Sequence, residues 1–281
     1  MKIAISIKVL TLNLWNVGHA LDHRNTLVAS GLQRLRPDIV CLQEVSRNPA
    51  TQQLRSELFA APCGLPHHLF SGFGETTSRS GASAPAAMEG LAILSRFPAL
   101  RQRTVALSNF PGDFPRQAFL AEFAVRERRI AVVTTHLAYP PTFGREREIQ
   151  TRQVLDGIDQ FTSQGDVDAI ILTGDFNDEC DASSIQAILK SRHGFRDAYS
   201  TCHPTGTGAT FASSNPYAGQ GFDPGLRIDF IFATPNLRPV ECTPVFDGNR
   251  DLDPVSDHFG VLCEFELAED AKSSLPAVAF R

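Results

Sequence analysis

Apolar residues in this chain come in short bursts. Eight runs rich in Val, Ile, Leu and Phe have the length and β-branched content of strands: VLTLNLW from Val9, DIVCLQE from Asp38, GLAILSR from Gly90, AFLAEFAV from Ala118, RIAVVTTHL from Arg129, DAIILTGDF from Asp168, RIDFIFA from Arg227 and GVLCEFEL from Gly260. Only the polar stretch Arg126 to Arg128 separates the fourth run from the fifth, so these two are expected to form an antiparallel hairpin. Alternation within AFLAEFAV is imperfect, as expected of a strand buried on both faces. Elsewhere the period lengthens to that of a helix. From His23 to Arg36, Leu27, Val28, Leu32 and Leu35 fall on one face, and Pro37 stops the run. A second helix is predicted from Arg145 to Phe161, with Ile149, Val154, Leu155 and Ile158 on its apolar side.

No linker divides this interleaved pattern, which predicts one domain over residues 1–267 and a tail without pattern over 268–281. The Gly/Ala/Ser-rich stretch 72–90 and the stretch 201–226, which carries Phe211, Tyr217 and Phe222, read as long loops inside that domain. A hairpin, several further strands and outer helices fit an α/β (α+β) protein of two packed β-sheets with helices outside them.

Composition narrows the partners. With 42% hydrophobic and 20% charged residues in 281, the chain has the make-up of a globular domain rather than a disordered or fibrous one. Its charge of 26 − 31 = −5 and its lack of any long Lys/Arg tract make nucleic acid a possible partner that electrostatics does not favour. No run approaches the roughly 20 apolar residues of a membrane span, and the opening MKIAISIKVLTLNLW reads as a first strand rather than a signal peptide, so the expected location is cytoplasmic. No feature predicts a protein partner. The six cysteines are scattered without a C-x-x-C pair; Cys41 and Cys263 lie in strand-like runs and are expected as buried free thiols.

Polar residues recur where strands end. Asn13 interrupts the first run, Glu44 ends DIVCLQE, His136 ends RIAVVTTHL, and Asp175 with Asn177 ends DAIILTGDFN. Asp229 lies inside RIDFIFA, and Asp257 with His258 precedes the last strand. Singly, each is an ordinary cap or solvated end. If the ends converge, the carboxylates repel one another unless a cation joins them. Oxygen donors and amides, without a thiolate cluster, suit a hard ion such as Mg²⁺ or Mn²⁺, and two histidines and an asparagine beside such an ion supply what phosphoryl chemistry requires.

The motifs TLNLWN, CLQE, EGLAILSRFP, TTHL, LTGDFND, RIDFIF and VSDHFG, in this order from about Val9 to about Phe265, resemble those of the endonuclease/exonuclease/phosphatase superfamily of DNase-I-like metal-dependent phosphodiesterases. The resemblance implies a four-layer α/β/β/α sandwich with two mainly antiparallel sheets. It implies Glu44 as the metal-binding glutamate, with Asn13 and Asp257 as direct or water-mediated partners of Mg²⁺ or Mn²⁺. Asp175 and Asn177 resemble the pair that positions the attacking water and the scissile phosphate. Asp229 is similar to the aspartate that orients the histidine of the SDH motif, His258. His136 resembles a second phosphate-binding or leaving-group histidine, with Glu89 as its possible support. The general base is left between His258 and Asp175. Arg116, at the opening of AFLAEF, is a lesser candidate for phosphate; His67, His68, His193 and His203 read as surface residues, and Trp15 as packed.

The implied activity is metal-dependent hydrolysis of a phosphate ester by in-line attack of water. A small molecule or phospholipid headgroup is slightly favoured over DNA or RNA, and a non-catalytic binding module is the alternative of another class.

Overall fold

The computed structural model describes residues 5–16, 19–48, 51–76 and 87–267; the tail from Ala268 and residues 77–86 lie outside the described residues. The two described ends of the stretch 72–90, expected as loop, are instead strand, because they pair with each other as an antiparallel ladder. All eight apolar runs form strands. One sheet contains β1 (Ile5–Asn13), β2 (Ile39–Ser46), β3 (His67–Thr76), β4 (Ala87–Ser95), β11 (Leu237–Val245) and β12 (Gly260–Leu267), in the order β11-β12-β1-β2-β4-β3. The other contains β5 (Ala99–Ala106), β6 (Gln117–Val125), β7 (Arg128–His136), β8 (Ala169–Asp175), β9 (Arg196–Asp197) and β10 (Asp229–Ala233), in the order β5-β6-β7-β8-β10-β9.

Both sheets are mixed. β1–β2 and β7–β8 are parallel and the remaining neighbours antiparallel, including the expected β6–β7 hairpin. A parallel pair needs a crossover, and each has a helix: α1 (Leu21–Leu35) joins β1 to β2, and, after the short α2 (Glu57–Ala60) ahead of β3, α3 (Gly144–Thr162) joins β7 to β8. The first helix ends at Arg36, in the left-handed conformation, one residue before the proline that forbids continuation.

Three apolar layers hold four structural ones together. Ile7, Val9, Ile39 and Ile93 of the first sheet meet Phe119, Phe123, Val132 and Ile171 of the second in the central gap. Val28 and Leu32 of α1 cover the outside of the first sheet. Val154, Ile158 and Phe161 of α3, with Ile185 and Ile188 of α4 (Ser183–Leu189), cover the outside of the second. The result is the expected α/β/β/α order. Cys41 and Cys263 are buried in the central layer, and all six cysteines are free.

One helical face differs from expectation. Ile149 is 36% exposed, while Arg147, Gln150 and Thr151 are buried. The first turns of α3 lie over loops rather than sheet, and loops present backbone groups. Arg147 donates to the carbonyls of Ala138 and Pro140, and Gln150 joins the Ala138 N–H to the Ser108 carbonyl.

Strand periodicity delivers the polar ends to one place. Ile7 and Val9, Ile130 and Val132, and Ala169 and Ile171 all point into the central gap. Continuing each series by twos reaches Thr11 then Asn13, Thr134 then His136, and Thr173 then Asp175. Each strand runs from apolar residues through a buried threonine to a site residue. Gly174 makes the last step possible: its φ is +144°, and an added Cβ would stand 2.1 Å from the Thr135 carbonyl oxygen. Gly174→Ala should therefore cost on the order of 3 kcal/mol, from strain and overpacking together, in chemical denaturation. An unchanged midpoint would show that the strands can separate there at no cost.

Candidate active site

Neighbouring strands of the second sheet place three site residues in a row. His136 is the register partner of Asp175 between β7 and β8, and Asp229 is that of Asp175 between β10 and β8. His258, from the loop before β12, completes the group. Its Nδ1 lies 2.9 Å from Asp229 Oδ2, and its Nε2 lies 3.7 Å from Asp175 Oδ2. His136 Nε2 approaches the same Asp175 oxygen to 3.3 Å.

The first sheet contributes from across the gap. Asn13, the last residue of β1, donates from Nδ2 to Asp175 Oδ2 at 3.0 Å and to Glu44 Oε1 at 3.4 Å, so one amide joins the two sheets' carboxylates. Glu44 stands where the β2–β4 register breaks between Leu42 and Val45, with φ at +52°. Such a bulge turns a side chain off the alternating pattern, and a non-glycine residue in this region is strained, a feature that clusters at functional sites. The Asn16 N–H donates to Glu44 Oε2 at 2.8 Å, and Asn16 Nδ2 donates to Glu89 Oε2 at 3.5 Å. Asn177 also has a left-handed φ of +52°; its N–H donates to Asp175 Oδ1 at 2.9 Å and its Nδ2 to the Leu137 carbonyl at 3.1 Å.

Electrostatics follow from crowding without water. Burial raises the Asp175 carboxyl to about 7, with His258 opposing the rise and Asp229 adding to it. Burial and the Glu44 charge raise Asp257, beside His258, to about 6, although His258 opposes that too. Burial alone would discharge His258, but Asp229 and Asp175 outweigh it and hold the imidazole well above its ordinary value. With Nδ1–H donating to Asp229, the Nε2 edge is left facing Asp175 at 3.7 Å.

The donor set fits a hard divalent cation. One carboxylate oxygen each from Glu44 and Glu89 and one ring nitrogen of His136 lie within 4.8 Å of one another, and the same holds for Asp175, Asp229 and His258. Carboxylates so close repel unless a positive charge lies among them. The geometry thus sets Glu89 and His136 beside Glu44. Asn13 reaches Glu44 through its amide, and Asp257 is near enough for its charge and that of Glu44 to interact.

Loops fix these groups in place. Arg24, fully buried, donates to the carbonyls of Leu14, Trp15 and Val255, and Arg55 donates to those of Leu14 and Trp15, so the segment after Asn13 is tied to the one before Asp257. Trp15 packs as expected, 5.6 Å from the Tyr217 ring and 4.7 Å beneath the Arg24 guanidinium. The 201–226 loop is anchored too: Thr210 Oγ1 accepts from the Ile228 and Asp229 N–H groups, Asn215 Nδ2 donates to the Ser256 carbonyl, and Phe211 stands 5.1 Å edge-on to His258.

Other sequence candidates take structural roles. Arg116 is buried in a two-bond pair with Asp113, at 3.0 and 2.7 Å, and does not serve as a free phosphate contact. His193 is buried against Asp159 rather than at the surface, whereas His67, His68 and His203 are half-buried; His68 bonds Ser56 and His203 the Cys242 carbonyl. Asn16 carries an unassigned role, and its signal was its place in the TLNLWN motif.

Two mixed sheets with outer helices, holding acids, amides and histidines at one shared rim, define a DNase-I-like α/β sandwich. Residues 13–258 match the model of the Endonuclease/Exonuclease/phosphatase family, and the chain belongs to it. Members of that family are hydrolases acting on phosphate esters, usually with a metal. No curated protein sequence matches the chain. Among solved structures, the endonuclease/exonuclease/phosphatase from Beutenbergia cavernae DSM 12333 superposes with a TM-score of 0.76 at 24% identity, over 94% of this chain and 72% of that one. The catalytic domain of human Nocturnin with bound sulfate gives 0.72 at 18%, over 95% and 97%. Truncated TDP2 from Caenorhabditis elegans gives 0.69 at 20%, over 94% and 98%. At these identities the likeness speaks for the fold.

Proposed function

We propose that the chain is a divalent-metal-dependent hydrolase that cleaves a phosphate ester by in-line attack of water, and that its site comprises the residues named above. The observation that carries this reading is the continuous linkage from Asp229 through His258 and Asp175 to Asn13 and Glu44, which spans both sheets. Glu44, Glu89 and His136 would hold the ion, assisted by Asn13 and Asp257. Bound there, Mg²⁺ or Mn²⁺ supplies charge neutralisation at the phosphate oxygens. Asp229 holds the tautomer of His258, whose Nε2 exchanges the proton. Asp175 is itself oriented by Asn13 and the Asn177 N–H, and it orients the water. Asn177, whose Nδ2 donates to the Leu137 carbonyl, would help to position the scissile phosphate. The threonines beneath the site, Thr11, Thr134 and Thr173, are fully buried.

A small phosphate ester or phospholipid headgroup suits this rim better than extended nucleic acid. The net charge is −5, and nearby guanidinium groups are engaged internally: Arg116 by Asp113, Arg147 by Asp178, and Arg24 and Arg55 by backbone carbonyls. A metal bound there would therefore supply positive charge for the phosphate, together with His258. The test is a panel of bis(p-nitrophenyl) phosphate, a choline-phosphate lipid and abasic duplex DNA, each with Mg²⁺ and with EDTA. Metal-dependent turnover of either of the first two above the DNA is expected. Preferred cleavage of the DNA would reverse the substrate reading, and hydrolysis of none would leave the binding-module alternative in its place.

A further inference from the structure

We infer that Gln43 is a positioning residue which holds the two halves of the site in register across the gap between the sheets; the inference rests on the metal-dependent reading above. The site is split. Asn13, Glu44 and Glu89 stand on the first sheet, and His136, Asp175 and Asp229 on the second. A cation held by Glu44 and His136 would require a fixed separation between those sheets. Apolar contact sets such a separation only loosely, because it has no direction. Hydrogen bonds do have direction. Several cross this gap, from Asn13 to Asp175, from Gln117 to the Ser71 carbonyl and between Ser71 and Thr104, and the Gln43 bond to Thr134 lies one layer beneath the site residues.

Gln43 is fully buried and immediately precedes the bulged Glu44. Its Nε2 donates across the gap to Thr134 Oγ1 at 2.9 Å and, within its own sheet, to Thr11 Oγ1 at 3.1 Å. These are the two shorter contacts of that nitrogen, with the Cys41 carbonyl of its own strand farther off at 3.5 Å. Thr11 lies two residues before Asn13, and Thr134 two before His136, so each threonine sits one layer beneath a site residue on the same strand face. The amide is a crosspiece joining β1, β2 and β7 directly under the metal-capable group. Stability alone does not call for it: replacing a buried donor and acceptor together by apolar groups of the same shape is nearly neutral or stabilising. Direction is what the polar layer adds.

The decisive comparison is calorimetric titration of metal-stripped protein with Mg²⁺, alongside kcat and KM for bis(p-nitrophenyl) phosphate. Thr134→Val keeps the shape and removes the cross-sheet acceptor. Thr134→Ser restores the hydroxyl. Ile7→Val trims the opposite end of the same core and reports on stability alone. Thr134→Val should weaken Mg²⁺ binding about 10–100-fold and lower kcat more than it raises KM. Thr134→Ser should recover most of the affinity, and Ile7→Val should bind as wild type even where it melts lower. Should Thr134→Val fail to fold, Gln43→Met deletes both bonds at similar volume and carries the same expectation. Wild-type affinity in a folded Thr134→Val or Gln43→Met chain would overturn the inference by itself. A wild-type chain that binds no Mg²⁺ would instead overturn the metal reading on which it stands.

Discussion

His258→Gln should lower kcat about 10³-fold, equivalent to about 4 kcal/mol of transition-state stabilisation. Glutamine is a more informative substitution than alanine. Asp229 is 1% exposed and accepts the His258 Nδ1–H at 2.9 Å, so alanine would strand a buried carboxylate and mix a folding defect into the kinetics. A glutamine amide can donate to Asp229, yet it cannot exchange a proton at the position of Nε2. The measurement is steady-state hydrolysis of bis(p-nitrophenyl) phosphate with circular dichroism as the check on folding. A folded variant within tenfold of wild type would remove His258 from the chemistry and leave Asp175 as the proton acceptor.

Asp175→Asn should abolish activity to a similar degree while making the metal-free chain more stable at pH 8. The sign follows from the carboxyl's rise from 3.8 to about 7 on burial. A group that binds its proton more tightly when folded adds stability below its unfolded value, and that contribution is lost as pH rises through the folded one. At pH 8 the ionised Asp175 thus works against the metal-free fold, and the neutral amide relieves it. The melting temperature of metal-free Asp175→Asn should exceed that of wild type at pH 8, with the gap closing toward pH 4. Mg²⁺ should favour wild type, since a ligand that binds only the folded form stabilises it by about 2.7 kcal/mol at 100 times its dissociation constant. A lower metal-free melting temperature for the variant at pH 8 would mean that Asp175 supports the fold through its charge.

The legible part of the fold was its interior. The eight apolar runs correspond to β1, β2, β4, β6, β7, β8, β10 and β12, and every one has a neighbour on both sides. The four strands without such a run, β3, β5, β9 and β11, are the four sheet edges. An edge strand is wetted along one side and tolerates residues that an inner strand cannot. β5 alternates half-buried with exposed positions, and β11 carries Pro239 and Pro244. Hydrophobic runs therefore identify strands by burial, and miss those that burial does not require.

The site was legible for a related reason. Asn13, Glu44, His136, Asp175, Asp229 and His258 are polar residues at or beside the ends of apolar strands, where their cost is visible against the pattern. Their order along the chain carried the family resemblance. What connects them was hidden, because contacts between sheets leave no mark on spacing within a strand. Neither the bulge that turns Glu44, nor the Asn13 amide between two carboxylates, nor the Gln43 bond to Thr134, 91 residues apart, could be read from periodicity. Ile149 shows the converse: an apolar residue at helical spacing faces solvent because that turn of α3 covers loop carbonyls.

In the function proposed above, side chains from two sheets make one metal-dependent centre for phosphate-ester hydrolysis. The most direct test is the hydrolysis rate of bis(p-nitrophenyl) phosphate as Mg²⁺ is titrated into EDTA-stripped wild-type protein. The rate should rise from background to a plateau, and Glu44→Gln should need about 10–100 times more Mg²⁺ to reach half of its own plateau. Hydrolysis that proceeds undiminished in EDTA, or a Glu44→Gln curve that overlies wild type, would contradict the account.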